Sequence, residues 1–233
     1  MCGIAGIIGP SSRDTALLRR MGISIAHRGP GDHGIWADSE NPVAFVHRRL
    51  AIVDLSAAGH QPMVSADGRF TLCYNGEIYN HGAVRAELDR SGGIEWRGHS
   101  DTETLVEAIA RWGIEGTLDK LIGMFAFALW DARERTVRLV RDRFGEKPLY
   151  YGWVGTDFVF ASELKAVRVH AGFDNSLNRP AIHALCARGY IPAPMSIHEG
   201  IFKLPPGTSL QPPAAPTSTL ATPLRPKPRQ VQA

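Results

Sequence analysis

The chain has 233 residues, 44% hydrophobic and 21% charged, the balance of an ordinary globular protein with enough apolar material for a sizeable core. Its formal net charge of +3 resides in Arg225, Lys227 and Arg229 near the C-terminus, and the rest holds 23 cations against 23 acids, which argues against a nucleic-acid footprint. The longest apolar run, Met124 to Trp130, falls far short of the ~20 residues of a membrane helix, and three cysteines without paired spacing fit a reducing cytoplasm.

The N-terminus reads Met1-Cys2-Gly3-Ile4-Ala5-Gly6-Ile7-Ile8, with a strand expected over residues 3–8. It carries neither a cationic leader nor a long apolar stretch, so no signal peptide or lipid anchor is expected. Removal of Met1 gives Cys2 a thiol and a free α-amine, whose ordinary pKa values lie within about one unit of each other. The amine can then carry the thiol proton, the N-terminal form of a nucleophile with its base. The plain alternative is a small residue packed at the start of an apolar strand.

Helical periodicity follows over 14–26, and a β-rich run over 43–54 contains Arg48 and Arg49 on opposite faces. A strand is expected at 70–74. The Asn75-Gly76 pair behind it is, taken alone, the signature of a tight hairpin turn, and Glu77 reads as a solvated turn acid. Helices are expected at 83–90 and 101–112, the second opened by Ser100-Asp101-Thr102-Glu103, an S-x-x-E capping box. Asp101 there complements the helix dipole. Further strands are expected at 125–131, 136–141 and 158–161, the first two joined through 131–135 as a hairpin. Leu50, Ile52 and Val53 read as core residues of a strand, and Cys73 as a buried thiol. The three cations of 141–150 lack a P-loop pattern and are read as a structural turn, and the nine histidines show no ligand spacing, so no metal site is expected.

Long strands interleaved with a few amphipathic helices predict an α+β fold of two stacked, mainly antiparallel sheets with helices outside, a four-layer αββα sandwich. Eight of the sixteen prolines lie in 205–233, which has no acid and no aromatic residue, so this end is expected to be disordered or extended.

The opening Met-Cys-Gly-Ile-Ala-Gly-Ile resembles the start of class II glutamine amidotransferases, which are N-terminal-nucleophile hydrolases. With His27-Arg28-Gly29-Pro30, His47-Arg48-Arg49-Leu50-Ala51-Ile52-Val53-Asp54, Tyr74-Asn75-Gly76-Glu77-Ile78-Tyr79-Asn80, Ser100-Asp101-Thr102-Glu103, Gly123 to Ala128 and Arg141 to Tyr150, residues 1–207 look like the glutaminase domain of asparagine synthetase. Residues 208–233 are then a tail. The resemblance implies Cys2 as nucleophile, with Asn75 and the Gly76 N–H as oxyanion donors. It implies Arg49 as the grip on the glutamine carboxylate and Asp101 facing its ammonium, with Leu50, Ile52, Val53 and Glu77 as further lining.

The Ser-Gly-Gly-x-Asp-Ser loop of a synthetase domain does not occur in the 233 residues. ATP and Mg²⁺ are therefore expected only for such a missing domain, no cofactor for this chain, and a truncated or frame-altered product is the expectation. Expected partners are glutamine, and either a synthetase domain or a second copy. Alternatives are the glutaminase of a sugar-phosphate, phosphoribosyl or carbohydrate-modifying amidotransferase, or a non-catalytic glutamine-binding relic.

Overall fold

The protein is described from a computed structural model, in which residues 1–90 and 92–212 are placed. In chain order the elements are β1 (Gly3–Ile8), α1 (Thr15–Ser24), β2 (Asp32–Ala37), β3 (Val43–Arg49), β4 (Met63–Val64), β5 (Phe70–Ile78), α2 (His81–Arg90), α3 (Asp101–Leu118) and β6 (Gly123–Asp131). There follow β7 (Thr136–Arg141), β8 (Tyr150–Val154), β9 (Asp157–Ala161), α4 (Leu164–Arg168), α5 (Arg179–Arg188), β10 (Ile201–Lys203) and β11 (Ser209–Leu210).

The strands form two antiparallel sheets, ordered β10-β8-β9-β1-β3-β2 and β11-β7-β6-β5-β4. Their alternation assigns every layer. Ile4, Val43, Phe45, Cys73, Ala126 and Ala128 share one core between the sheets. Ala5, Ile7, Ala44 and Val46 turn the other way, against Leu17, Leu18 and Met21 of α1 and Ala166 and Val167 of α4. Leu72, Tyr74, Phe125 and Phe127 pack against Val84 and Leu88 of α2 and Leu105, Val106 and Ile109 of α3. Helix, sheet, sheet, helix is the expected αββα sandwich.

Local signals account for the helix ends. The Asp14 side chain accepts a hydrogen bond from Leu17 N at 2.9 Å and starts α1, satisfying one free N–H of its first turn. Ser100 does the same for Glu103 N at 3.2 Å. The reciprocal half of the expected capping box is absent: Glu103 instead takes Arg97 N at 2.7 Å and Gly98 N at 3.0 Å, organising the approach to the helix. The helix is interrupted at Gly113, whose φ is +73°, one residue beyond the end expected from periodicity.

Three expectations are corrected. The run over 43–54 is a strand only to Arg49, because residues 50–59 leave the sheet to wrap the Arg49 guanidinium. Asn75 and Gly76 are not a hairpin turn but lie inside β5, paired with Ala126 and Phe125. The folded part also extends beyond residue 207, since Ser209 and Leu210 are buried and pair with Val140 and Leu139. The rest of the expected tail, residues 213–233, lies outside the described residues.

Candidate active site

The strand faces decide which side chains meet. Cys2 has the parity of Ile4, so it looks into the gap between the sheets, and Asn75 has the parity of Cys73 and looks into that gap from the other side. Gly3 pairs with Arg48, and one further step of that antiparallel register sets Cys2 beside Arg49. These residues meet at one end of the sandwich, in a cleft of about 100 Å³ that Cys2, Arg49, Asn75, Gly76, Glu77 and Asp101 all line. Leu50, Ile52 and Val53 line it as well. They are not core strand residues, however: all three are solvent-exposed, Ile52 to 66%, and belong to the loop that forms the rim.

Arg49 is only 8% exposed. Its Nη1 donates to Ser56 O at 2.9 Å and its Nη2 to Asp54 O. Two of the five guanidinium donors thus hold the loop, and three remain for a planar, bidentate acceptor such as a carboxylate. Gly59 has no room for a side chain here, because a Cβ would sit 2.0 Å from Arg49 Nη2. Arg48, on the opposite face, donates to Gly22 O of α1 and stays out of the cleft.

At the other end Asp101 is 7% exposed. Its Oδ2 accepts from the Tyr74 hydroxyl at 2.8 Å and from Ile78 N at 3.0 Å. Burial first, and then the Asp101 charge, push the Tyr74 hydroxyl well above its ordinary pKa, so it stays protonated and stays a donor.

The sulfur of Cys2 lies 3.4 Å from Leu50 N and 3.7 Å from Leu50 O. Burial raises the thiol pKa, while the Leu50 N–H and the Arg49 charge act in the opposite sense. The thiol is thus neutral at neutral pH and needs a base. Burial, followed by the Arg28 and Lys147 charges, lowers the pKa of the Met1 α-amine next to Cys2, against the attraction of the Cys2 thiolate. Arg28 also donates Nε to Cys2 O at 2.9 Å and ion-pairs with Glu163 at 2.9 Å, which fixes the backbone of Cys2.

Two donors face this sulfur across the gap. Asn75 is 1% exposed, and its Nδ2 is buried with no hydrogen-bond partner among the described residues. The second follows from strand geometry. Neighbouring strand β4 begins at Met63, opposite Leu72, and pairs β5 through Leu72 and Thr71, so β5 has an open edge beyond Leu72, toward Ile78. On that edge Tyr74 N donates to Gln61 Oε1 at 2.7 Å and Ile78 N to Asp101 Oδ2. N–H groups alternate in direction along a strand, which directs Gly76 N–H to the same edge, between those two. Gly76 cannot carry a side chain: a Cβ would lie 2.4 Å from Met124 O and 2.7 Å from Phe125 Cβ.

Several lining residues had no signal in the sequence. Gln61 reads as a loop polar residue, yet it is buried and bridges Tyr74 N to Thr102 Oγ1. Met124 and Lys147 come from the β6 start and the β7–β8 turn, and Lys147 Nζ sits 3.3 Å from Met1 Sδ. As expected, the 141–150 segment is a structural turn, with Arg141 donating to Lys147 O and Asp142 accepting from Phe144 N and Glu146 N. Cys73 is fully buried and donates to Val46 O, and Cys186 is an exposed residue of α5.

The comparisons with known proteins agree with this geometry. The family model described as a glutamine amidotransferase domain matches residues 1–221. Asparagine synthetase (glutamine-hydrolysing) 3 of Bacillus subtilis is 35% identical over 216 residues, covering 90% of this chain and 34% of the relative. Asparagine synthetase 2 of the same organism is 41% identical over 175 residues, covering 73% of the chain and 22% of the relative. A putative asparagine synthetase 2 of Methanocaldococcus jannaschii is 35% identical over 88% of the chain and 42% of the relative. The chain thus spans well under half the length of each. Among solved structures, glutamine phosphoribosylpyrophosphate amidotransferase from B. subtilis matches with a TM-score of 0.67 over 90% of this chain and 47% of that one, at 23% identity, a likeness of fold.

Proposed function

The chain belongs to the glutamine amidotransferase domain family, and from that we propose that it hydrolyses glutamine to glutamate and ammonia. Glutamine presents an α-carboxylate, an α-ammonium and a side-chain amide. The cleft offers a guanidinium, a carboxylate and a thiol with two donors to match. The observation that carries the reading is the buried Asn75 Nδ2, which has no partner among the described residues and lines the cleft that Cys2 enters. An unpaired buried donor costs on the order of 1–3 kcal/mol, an expense that an oxyanion acceptor would explain.

Cys2, freed of Met1, attacks the amide carbon of glutamine. The thiol proton passes to the α-amine. The developing oxyanion accepts from Asn75 Nδ2 and Gly76 N–H, and its collapse expels ammonia, which takes that proton from the amine. A γ-glutamyl thioester remains. Water then adds to it with the amine as base, and glutamate leaves as the thiol is restored. Arg49 and Asp101 hold the two charged ends throughout, with Glu77 and the rim residues Leu50, Ile52 and Val53 completing the wall.

The identity of the relatives supports an asparagine synthetase type of acceptor system, in which a further domain would use the ammonia to make asparagine from aspartate with ATP and Mg²⁺. No residue of this cleft is assigned to those cofactors. A homodimer or a separate synthetase partner would serve equally. No helix among the described residues is long and apolar enough to cross a membrane, and the three unpaired cysteines support a reducing, cytoplasmic setting. The test is ammonia release from glutamine by protein whose loss of Met1 is verified by intact mass, beside its Cys2→Ala variant. Release by the processed protein alone is expected; equal rates from the two would refute the assignment.

A further inference from the structure

We propose that Asp54 is a positioning residue that sets the separation between the two ends of the amino-acid site, by fastening the loop held by Arg49 to the segment that launches Asp101. The inference rests on the glutaminase reading.

Asp54 is 7% exposed and lines the cleft. Its side chain reaches in two directions. Oδ1 accepts from Ser56 N at 2.8 Å and Ser56 Oγ at 2.6 Å, within the loop whose carbonyls hold the guanidinium. Oδ2 accepts from His99 N at 2.8 Å, two residues before Asp101. Its own carbonyl accepts from Arg49 Nη2. One residue therefore touches the carboxylate grip through its backbone and the approach to the ammonium-binding carboxylate through its side chain. The Ser56 hydroxyl first, and then the His99 N–H, hold its pKa down to about 2, so the fastening is intact throughout the pH range of a neutral-pH enzyme.

The chemistry of the ligand makes this separation matter. The α-carboxylate and α-ammonium of glutamine hang from one carbon, so their receptors must sit at one fixed spacing. A group misplaced by about 1 Å forfeits much of the binding it was built to supply. Arg49 ends strand β3 and Asp101 begins helix α3, in different layers, and β-strand packing alone does not tie the Arg49 loop to the start of α3. Gly98 belongs to the same device: a Cβ there would meet Asp54 Oδ2 at 2.5 Å and Ala58 Cβ at 2.7 Å, so only glycine lets the carboxylate close on His99.

The experiment measures dissociation constants by calorimetry on the Cys2→Ala protein, which binds without turnover. Three ligands are compared: glutamine, glutaramic acid, which lacks the α-amine, and 4-aminobutanamide, which lacks the α-carboxylate. Asp54→Asn keeps an acceptor for Ser56 but cannot satisfy both sides. It is expected to weaken glutamine roughly tenfold, a loss of about one charge-assisted hydrogen bond, with each analogue changed less than about threefold. Gly98→Ala, which keeps the carboxylate ionised but displaces it, is expected to reproduce that pattern. Unchanged glutamine affinity in both variants overturns the proposal. So does a loss of preference over one analogue only, or an equal loss on all three ligands, which is general damage to the cleft. Failure of the Cys2→Ala parent to bind glutamine overturns the glutaminase reading itself, and this inference with it.

Discussion

Tyr74 donates its hydroxyl to Oδ2 of Asp101 at 2.8 Å, so the strand carrying Asn75 and Gly76 is joined directly to the first turn of α3. The oxyanion donors and the ammonium acceptor proposed above are thereby held in one rigid piece. Tyr74→Phe leaves Asp101 Oδ2 with Ile78 N alone. Global stability should fall by about 1–3 kcal/mol, read from a urea midpoint, and KM for glutamine should rise several-fold with kcat changed less.

Asn75→Ala should separate catalysis from folding. Loss of one oxyanion donor costs on the order of 10²–10³ in kcat, with KM nearly unchanged. Because Nδ2 has no partner among the described residues, stability should fall by less than about 1 kcal/mol. A large drop in the thermal midpoint would show instead that this amide serves the fold.

Gly76→Ala should do the reverse and damage both. The new methyl would collide with Met124 O and Phe125 Cβ, and strands β5 and β6 must part to admit it. A cost of about 1–3 kcal/mol is expected, together with displacement of the oxyanion donors and loss of ammonia release. Thermal denaturation and a glutaminase assay on one preparation check the pair.

His47 predicts an acid weakness. It is fully buried, its Nε2 donates to Tyr74 O at 3.0 Å, and burial lowers its pKa to about 4. The unfolded chain binds a proton at His47 near pH 6.5 and the folded one only near pH 4. Between those values the unfolded state holds more protons and stability must fall as pH falls. The full effect is about 3 kcal/mol. Asp54 and Glu163, both held to about 2, act in the same direction but in a lower window. His47→Gln should flatten the decline in thermal midpoint from pH 6.5 to 4.5; a decline as steep as in the unaltered protein would remove His47 as its cause.

Much of this architecture is legible in the chain. Strands such as Gly3–Ile8 and Thr136–Arg141 alternate or run apolar between clear breakers, and the cap at Ser100 fixes where α3 begins. What escapes is set by tertiary contact. Asp32–Ala37 holds a glycine and two polar residues in six and becomes a strand only because β3 supplies its ladder. The 43–54 run looks uniform, yet the chain leaves the sheet at Leu50 because the buried guanidinium beside it needs carbonyl partners. Asn75-Gly76 carries a hairpin signal, but both neighbouring segments continue as strand and the glycine is demanded by Met124, which lies 48 positions away. Cys2, Arg49, Asn75 and Asp101 are found from motif resemblance. Gln61 and Lys147 are not, because nothing local distinguishes a buried amide or ammonium from a solvated one.

Strand β4 is two residues long, and that brevity has an evolutionary corollary. Had the strand continued alongside β5 toward Ile78, the Gly76 N–H would be consumed by an ordinary ladder bond and Gln61 and Asp101 would be displaced from the edge. Insertions and deletions just before Met63, in residues 57–62, which the antiparallel register would set opposite 73–78, are thus the changes to watch across relatives. Those that extend the pairing should convert a reactive sandwich into an inert one while leaving its hydrophobic core untouched.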